Sequence, residues 1–95
     1  MAKLNESDIA ERMPTVPGWA VIEEEGINRL QRVFTFGDFT EALAFTNRVG
    51  ELAEHADHHP RIVTEWGRVT LTWWSHDQGG IVAKDFEMAK RVDAG

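Results

Sequence analysis

Residues Arg61–His76, "RIVTEWGRVTLTWWSH", predict a β-hairpin with Gly67 as its turn, and this hairpin organises the rest of the chain. Both arms are rich in β-branched and aromatic residues, which favour strands. Because side chains alternate along a strand, Val69, Leu71 and Trp73 are expected to share one face. The alternate positions on the opposite face are Thr70, Thr72, Trp74 and His76.

A second hairpin is predicted upstream, where "WAVIEEE" and "INRLQRVFTF" flank Gly26. A tight turn is expected near Glu25–Gly26. On the second arm of this hairpin, Leu30, Phe34 and Phe36 fall on one face. The other face of that arm is more polar and carries Arg29, Gln31 and Thr35.

Three helices are predicted around the hairpins. The first, "NESDIAERM", is short, is capped by Asn5 or Ser7, and ends before the prolines of "PTVPG". The longest helix begins after Asp38, which has a glutamate three residues later, and it runs to about Ala56. The last helix runs roughly over Val82–Asp93.

The longest helix carries an apolar stripe that predicts burial against a core. Its members recur at spacings near three and four residues: Phe39, Leu43, Phe45, Val49 and Leu52. Gly50 interrupts this helix. Glycine there costs up to ~1 kcal/mol relative to alanine, so it indicates either close packing at that point or a local weakness.

The element order α-β-β-α-β-β-α predicts an α+β fold in a single domain over residues 1–95. We expect a four-stranded antiparallel sheet with three helices packed on one face. If the helices cover the face that carries Val69 and Leu71, Trp74 lies on the open face. A large aromatic side chain there predicts a subunit interface or the wall of a ligand site.

Composition excludes several classes of function. The net charge of -6 disfavours nonspecific binding to nucleic acid or anionic membranes, although it leaves room for a local basic patch. The chain has no cysteine, which excludes disulfides, thiolate nucleophiles and cysteine-ligated metal sites. With no secretory or membrane-spanning segment in the sequence, we expect a cytoplasmic protein.

The motif "EHADHHP" holds three of the four histidines. In the predicted hairpin the end of strand four lies beside the start of strand three, which brings His76 to the same end of the sheet as His58 and His59. Adjacent residues on extended chain point to opposite sides, so His58 and His59 are expected to act differently. Imidazoles titrate near pH 6.5, which suits proton transfer at neutral pH.

Two carboxylates, Glu54 and Asp85, are candidates for orienting these rings. A simpler interpretation fits His55, because a histidine at a helix C-terminus is favoured by the helix dipole. A metal site would use His55 and His59, but the break at Pro60 and the absence of an HExxH pattern disfavour it. The predicted site therefore contains no metal.

The same residues resemble the signature of the pterin-4a-carbinolamine dehydratases, and the resemblance extends over nearly the whole chain. Flanking segments are similar as well: "PGW" before the first strand, "EALAF" in the long helix and "HDQGGI" before the last helix. The positions that carry the resemblance are Glu54, His58-His59-Pro60, Trp66, His76 and Asp85.

The resemblance implies the α+β fold predicted above and a reaction that removes water from 4a-hydroxytetrahydropterin to give quinonoid dihydropterin. This reaction recycles the pterin cofactor of aromatic amino-acid hydroxylases, and it needs no metal or organic cofactor. The family likeness also implies an active site formed by His58, His59 and His76, with Glu54 and Asp85 in support.

Within that site, our hypothesis is that His58 and His76 transfer protons, that His59 binds and orients the pterin, and that Trp74 stacks on it. Two features depart from the family pattern. Val82 stands where relatives often have a helix-capping Ser or Thr, so the cap of the last helix is expected to come from elsewhere. The "TWW" run adds aromatic bulk to strand four.

A second hypothesis is a binding or assembly protein that performs no chemistry. Some members of the family serve as dimerisation cofactors for a homeodomain transcription factor, and a dehydratase-like form is linked to RuBisCO assembly. The retained histidines favour catalysis on a small-molecule pterin. The exposed edges of a small sheet also predict a homodimer or homotetramer, with no direct nucleic-acid or membrane partner.

Overall fold

A computed structural model describes residues 2–95 and confirms the predicted α+β architecture. Residues 2–95 contain three helices and four strands in the expected order, with one additional 3-10 turn at Met13–Thr15. The elements are α1 (Glu6–Arg12), β1 (Ala20–Glu24), β2 (Ile27–Thr35), α2 (Phe39–Ala56), β3 (Arg61–Glu65), β4 (Arg68–Trp73) and α3 (Ala83–Ala94).

The four strands form one antiparallel sheet in the order β1-β2-β4-β3, so the two hairpins meet along β2 and β4. Leu30 of β2 lies opposite Trp73 of β4. The first hairpin turns at Glu25 and Gly26, whose φ angles are 55° and 77°. Two successive residues with positive φ match the twist of a tight hairpin, as the sequence predicted.

One face of the sheet packs against the helices, and the residues buried between these two layers form the core. The sheet contributes Leu30, Val69, Leu71 and Trp73, and the helices contribute Ile9, Ala42, Val49, Ala53, Phe86, Met88, Ala89 and Val92. Within residues 2–95, no helix covers the opposite face, and Val33 and Val63 are exposed there. No helix within residues 2–95 is long and apolar enough to span a bilayer.

The buried stripe of α2 differs from the predicted one. Phe39 and Leu43, which were expected in the core, are exposed, whereas Ala42 and Ala53 are buried beside Val49. The helical repeat explains this, because at ~100° per residue Phe39 and Leu43 lie roughly 80° and 120° around the helix from Val49. The prediction of burial was right for Val49. Phe45 and Leu52 are partly buried against the core.

Gly50 lies on α2 at a position where a methyl group would have space, because a Cβ there would meet no other atom within 4 Å. Close packing inside the chain therefore does not explain this glycine. At the start of the same helix, Asp38 Oδ1 accepts a hydrogen bond of 2.9 Å from the Glu41 N–H, which confirms the predicted cap.

Candidate active site

The end of α2 directs two histidines out of the helix. Asp57 terminates the helix with φ 50° and ψ 44°, a left-handed conformation that aspartate tolerates better than most residues. The next N–H, that of His58, donates to the Ala53 carbonyl at 3.1 Å and closes the helix end. His58 and His59 therefore lie in the short segment between the end of α2 and the start of β3 at Arg61.

His58 is held from two sides. Its Nε2 lies 2.5 Å from Asp85 Oδ1, and the side chain of Asp85 is completely buried. The His58 ring also stacks on Trp73, with the ring centroids 5.8 Å apart and the planes within 6° of parallel. A ring with a fixed carboxylate and a flat apolar neighbour has little freedom to rotate.

Asp85 also begins α3. Its second oxygen, Oδ2, accepts a hydrogen bond of 2.9 Å from the N–H of Val82, whose side chain makes no cap. This explains the departure from the family pattern at Val82, because the capping group is supplied by Asp85. Burial raises the pKa of the Asp85 carboxyl, and the hydrogen bonds from His58 and Val82 offset that rise only in part.

His59 faces a different carboxylate. Its Nε2 lies 2.5 Å from Glu54 Oε1, and both side chains are largely exposed, at 54% for His59 and 77% for Glu54. The side chain of His58, by contrast, is only 15% exposed. Neighbouring imidazoles thus have separate partners and different solvation, which is the division that the alternation of extended chain predicts.

The sequence predicted that His76 ends β4. In the structure, His76 instead lies in a turn that follows this strand. Strand β4 stops at Trp73, and Ser75 then pairs with Gly80 through two backbone hydrogen bonds of 2.8 and 3.2 Å. The His76 carbonyl accepts from the N–H of Gly79, which has φ 73°. The position of this imidazole therefore depends on a tight turn that closes on glycine.

These segments meet at one open cavity of about 270 Å³, lined by Asp57, His58, His59, Trp74, Ser75, His76 and Asp77. The β3–β4 pairing and the turn after β4 together bring the three predicted histidines to one cavity, although 17 positions separate His59 from His76. Their catalytic roles remain predictions. Within residues 2–95, no group of three or more histidine, aspartate or glutamate side chains is placed to hold a metal ion.

Two other predicted positions lie elsewhere. His55 faces a separate, wider groove of about 860 Å³ along α2. Trp66, part of the sequence signature, is 70% exposed in the β3–β4 turn, which is at the other end of these strands from the histidines. Of the signature residues, the three histidines line the cavity. Asp85 is buried and contacts His58, and Glu54 contacts His59 but lines the groove along α2.

Sequence reasoning missed the partners of the two tryptophans. It did not place Trp73 against His58, and it did not place Arg29 over Trp74, where the guanidinium carbon lies 4.1 Å from the ring centroid. The strand register was the available signal for the contact between Arg29 and Trp74. Leu30 pairs with Trp73 in antiparallel strands, so Arg29 and Trp74 are opposite each other on the open face.

Comparison with known proteins decides the family. Residues 2–95 match the family described as Pterin 4 alpha carbinolamine dehydratase. The chain belongs to this family. A relative from Nitrosococcus oceani, provisionally named a pterin-4-alpha-carbinolamine dehydratase, is 55% identical over 91 residues, covering 96% of this chain and 80% of the relative. A protein of the same provisional name from Chlorobium limicola is 64% identical over 77 residues, covering 81% and 68%.

Solved structures of the dehydratase fold are also similar. A crystal structure described as a transcriptional coactivator/pterin dehydratase from Brucella melitensis has a TM-score of 0.86 and 32% identity, covering 97% of this chain and 96% of that one. A pterin dehydratase-like protein described as a RuBisCO assembly factor in the alpha-carboxysome has a TM-score of 0.66 and 26% identity, covering 81% and 87%.

Proposed function

We propose that this protein is a dehydratase that removes water from a 4a-hydroxytetrahydropterin and releases quinonoid dihydropterin. The observation that carries the proposal is the single cavity in which three histidines meet, within a chain of the dehydratase family. In this proposal the product returns to the tetrahydropterin cofactor pool of aromatic amino-acid hydroxylases.

The reaction needs one proton donor and one proton acceptor. The C4a–oxygen bond breaks, and the leaving hydroxyl takes a proton from an acid and departs as water. A base removes a proton from a ring nitrogen, whose electron pair forms the new C=N bond. One proton is supplied and one is removed, so positioned imidazoles suffice, and such catalysis is typically worth roughly 10²–10⁴-fold.

The geometry supports a division of labour among the histidines. With the Asp85 carboxylate accepting from Nε2–H, His58 keeps the lone pair on Nδ1, which is the state that a general base requires. We assign His58 and His76 to proton transfer. The exposed pair of His59 and Glu54 is better suited to binding and orienting the pterin, with Trp74 as a wall for the flat ring.

Single alanine variants test this division. We expect His58→Ala and His76→Ala to lower kcat by roughly 10²–10⁴-fold, because each removes a proton-transfer group. His59→Ala should mainly raise KM, because it removes a binding contact. The measurement is the decay of carbinolamine ultraviolet absorbance in a stopped-flow assay, with Arg68→Ala, far from the cavity, as the control.

Two results would contradict these assignments. A fall in kcat with unchanged KM for His59→Ala would show that the roles of the histidines are divided differently. If the wild-type protein at micromolar concentration did not accelerate carbinolamine decay, the dehydratase proposal itself would be wrong.

The second candidate is a non-catalytic binding or assembly protein. The alternative is supported by the description of one structural neighbour as a RuBisCO assembly factor, and by that of the other as a transcriptional coactivator as well as a pterin dehydratase. The meeting of all three histidines in one cavity favours catalysis. The same absorbance assay separates the two, because an assembly protein has no need to accelerate the dehydration.

A further inference from the structure

A cationic cluster lies on the open face of the sheet, next to the histidine cavity. Arg29 of β2 and Arg61 of β3 approach the ring of Trp74 from the strands on either side of β4, with guanidinium carbons 4.1 and 5.4 Å from the ring centroid. Trp74 also lines the cavity that holds the histidines. The two features therefore share one side chain.

The cluster carries an excess positive charge. Arg61 binds the Glu24 carboxylate through both of its terminal nitrogens, at 2.8 and 3.2 Å. The hydrogen bonds from Arg61 hold the pKa of Glu24 below its usual value, with a smaller contribution from the charge of Arg29. Two guanidinium groups thus share one carboxylate, which leaves a net charge of about +1 at neutral pH.

Of the two guanidinium groups in the cluster, only that of Arg61 has a carboxylate partner among residues 2–95. The described side-chain hydrogen bond of Arg29 runs from Nη2 to the backbone oxygen of Glu24 at 3.3 Å, and the residue is only 7% exposed. Within residues 2–95, its Nε and the Trp74 Nε1 are buried donors with no acceptor. Buried donors are normally satisfied, and a buried guanidinium without an anion is costly.

An oxyanion would satisfy this arrangement. The planar fork of a guanidinium suits phosphate and carboxylate groups, and charge-assisted hydrogen bonds are the strong ones. The rest of the protein disfavours anions, because the net charge is -6. A negatively charged group near the histidines would therefore be drawn to this cluster in particular.

We propose that Arg29, Arg61 and Trp74 bind an anionic substituent, a phosphate or a carboxylate, on a pterin whose ring occupies the histidine cavity. This inference rests on the proposed dehydratase function and narrows the substrate to tetrahydropterins with a charged side chain. The ring meets the imidazoles, and the side chain extends over Trp74 towards the arginines.

The test compares three 4a-carbinolamines that differ only at the side chain of the pterin: a neutral hydroxyalkyl group, its phosphate monoester, and a carboxylate of similar length. We expect kcat/KM to be roughly ten- to hundredfold higher for at least one charged substrate than for the neutral one. The preference between the phosphate and the carboxylate distinguishes the two kinds of anion.

Variants assign the preference to the cluster. Arg29→Gln should reduce the charged-to-neutral ratio of kcat/KM to near one, and Arg61→Gln should reduce it too, because Glu24 then neutralises Arg29. Arg29→Lys keeps the charge but not the fork, so an intermediate ratio is expected. Arg68→Gln is the matched control, because Arg68 is an exposed arginine of β4 that is paired with Glu65, and its ratio should not change.

Binding of the fully oxidised pterins, with and without the phosphate, provides a second measurement that needs no turnover. Equal kcat/KM for charged and neutral carbinolamines in the wild type would overturn this inference and leave the dehydratase function intact. If no carbinolamine were turned over, the proposed function would fail. In that case tighter binding of the phosphorylated oxidised pterin, lost in Arg29→Gln, would still support the anion site, and equal binding would refute it.

Discussion

Asp85 links two parts of the molecule through its two oxygens. Oδ1 forms a hydrogen bond with Nε2 of His58, and Oδ2 accepts a hydrogen bond from the N–H of Val82 at the start of α3. The orientation of an imidazole in the cavity is thereby coupled to the position of a helix. Complete burial of the carboxyl keeps both contacts away from water, and it also raises the pKa of the group.

This raised pKa predicts how the stability of the protein depends on pH. A carboxyl whose pKa is higher in the folded state stabilises folding fully below its unfolded pKa, about 4, and this contribution is lost as pH rises through the folded value. The stability of the wild type relative to Asp85→Asn should therefore fall as pH increases from about 4. Urea unfolding of both proteins at a series of pH values, followed by circular dichroism, measures this difference in the free energy of unfolding.

Measuring the effect of Asp85→Asn on stability in a His58→Gln background separates the contribution of the Asp85 carboxyl from that of the His58 imidazole. There the decrease with pH should persist, because burial of Asp85 remains its largest cause. A difference between the wild type and Asp85→Asn that stays constant from pH 4 to neutral pH would show that this carboxyl does not titrate differently in the folded protein.

At the scale of the elements, two glycines differ in whether their backbone conformation requires glycine. Gly50 lies inside α2 and Gly79 lies in the turn that carries His76, and a Cβ would meet no atom within 4 Å at either position. Space is thus not limiting at either site. Only Gly79 has a positive φ, of 73°, which a side chain strains.

We therefore expect opposite effects from the same substitution. Gly50→Ala should raise the free energy of unfolding by about 0.5–1 kcal/mol, because alanine favours a helix and restricts the unfolded chain. Gly79→Ala should lower it by about 1–2 kcal/mol and also reduce kcat, because the turn that positions His76 is strained. Chemical unfolding and the absorbance assay measure these changes, and Gly79→Asn, which tolerates positive φ, should be the milder variant.

If Gly50→Ala proved destabilising, the surface of α2 at this position would be covered by another molecule, since no atom of residues 2–95 fills that space. If Gly79→Ala left both stability and kcat unchanged, the conformation of the turn would not control the position of His76.

At the scale of the whole molecule, the sheet has an uncovered face and two outer strands. In the part of the chain that the structure describes, strands β1 and β3 each pair on one side only, and Val33 and Val63 are exposed on the open face. Unpaired strand edges and exposed apolar side chains are commonly covered by another chain. These features support the prediction of a homodimer or homotetramer.

Sedimentation equilibrium tests this prediction. We expect a mass two or four times that of the 10.8 kDa chain at micromolar concentration. Increasing salt should dissociate it little, because burial of apolar surface, which is not screened, would drive the association. A single species of the monomer mass across the concentration series would contradict the prediction.

Local sequence patterns determined much of this protein. Alternating strands, turn residues and the Asp38 cap predict the elements, and the register of the Gly67 hairpin places His76 beside His58 and His59. Each of these features depends on residues close in sequence or on one hairpin. The spacing of apolar residues and the residues of a turn are sufficient to predict these features.

The tertiary structure decided the rest. It placed the Asp85 carboxyl against the His58 ring, and it gathered Arg29 and Arg61 around Trp74. These contacts join side chains that are distant along the chain. They depend on how layers pack and how the sheet twists, and no local pattern encodes that geometry.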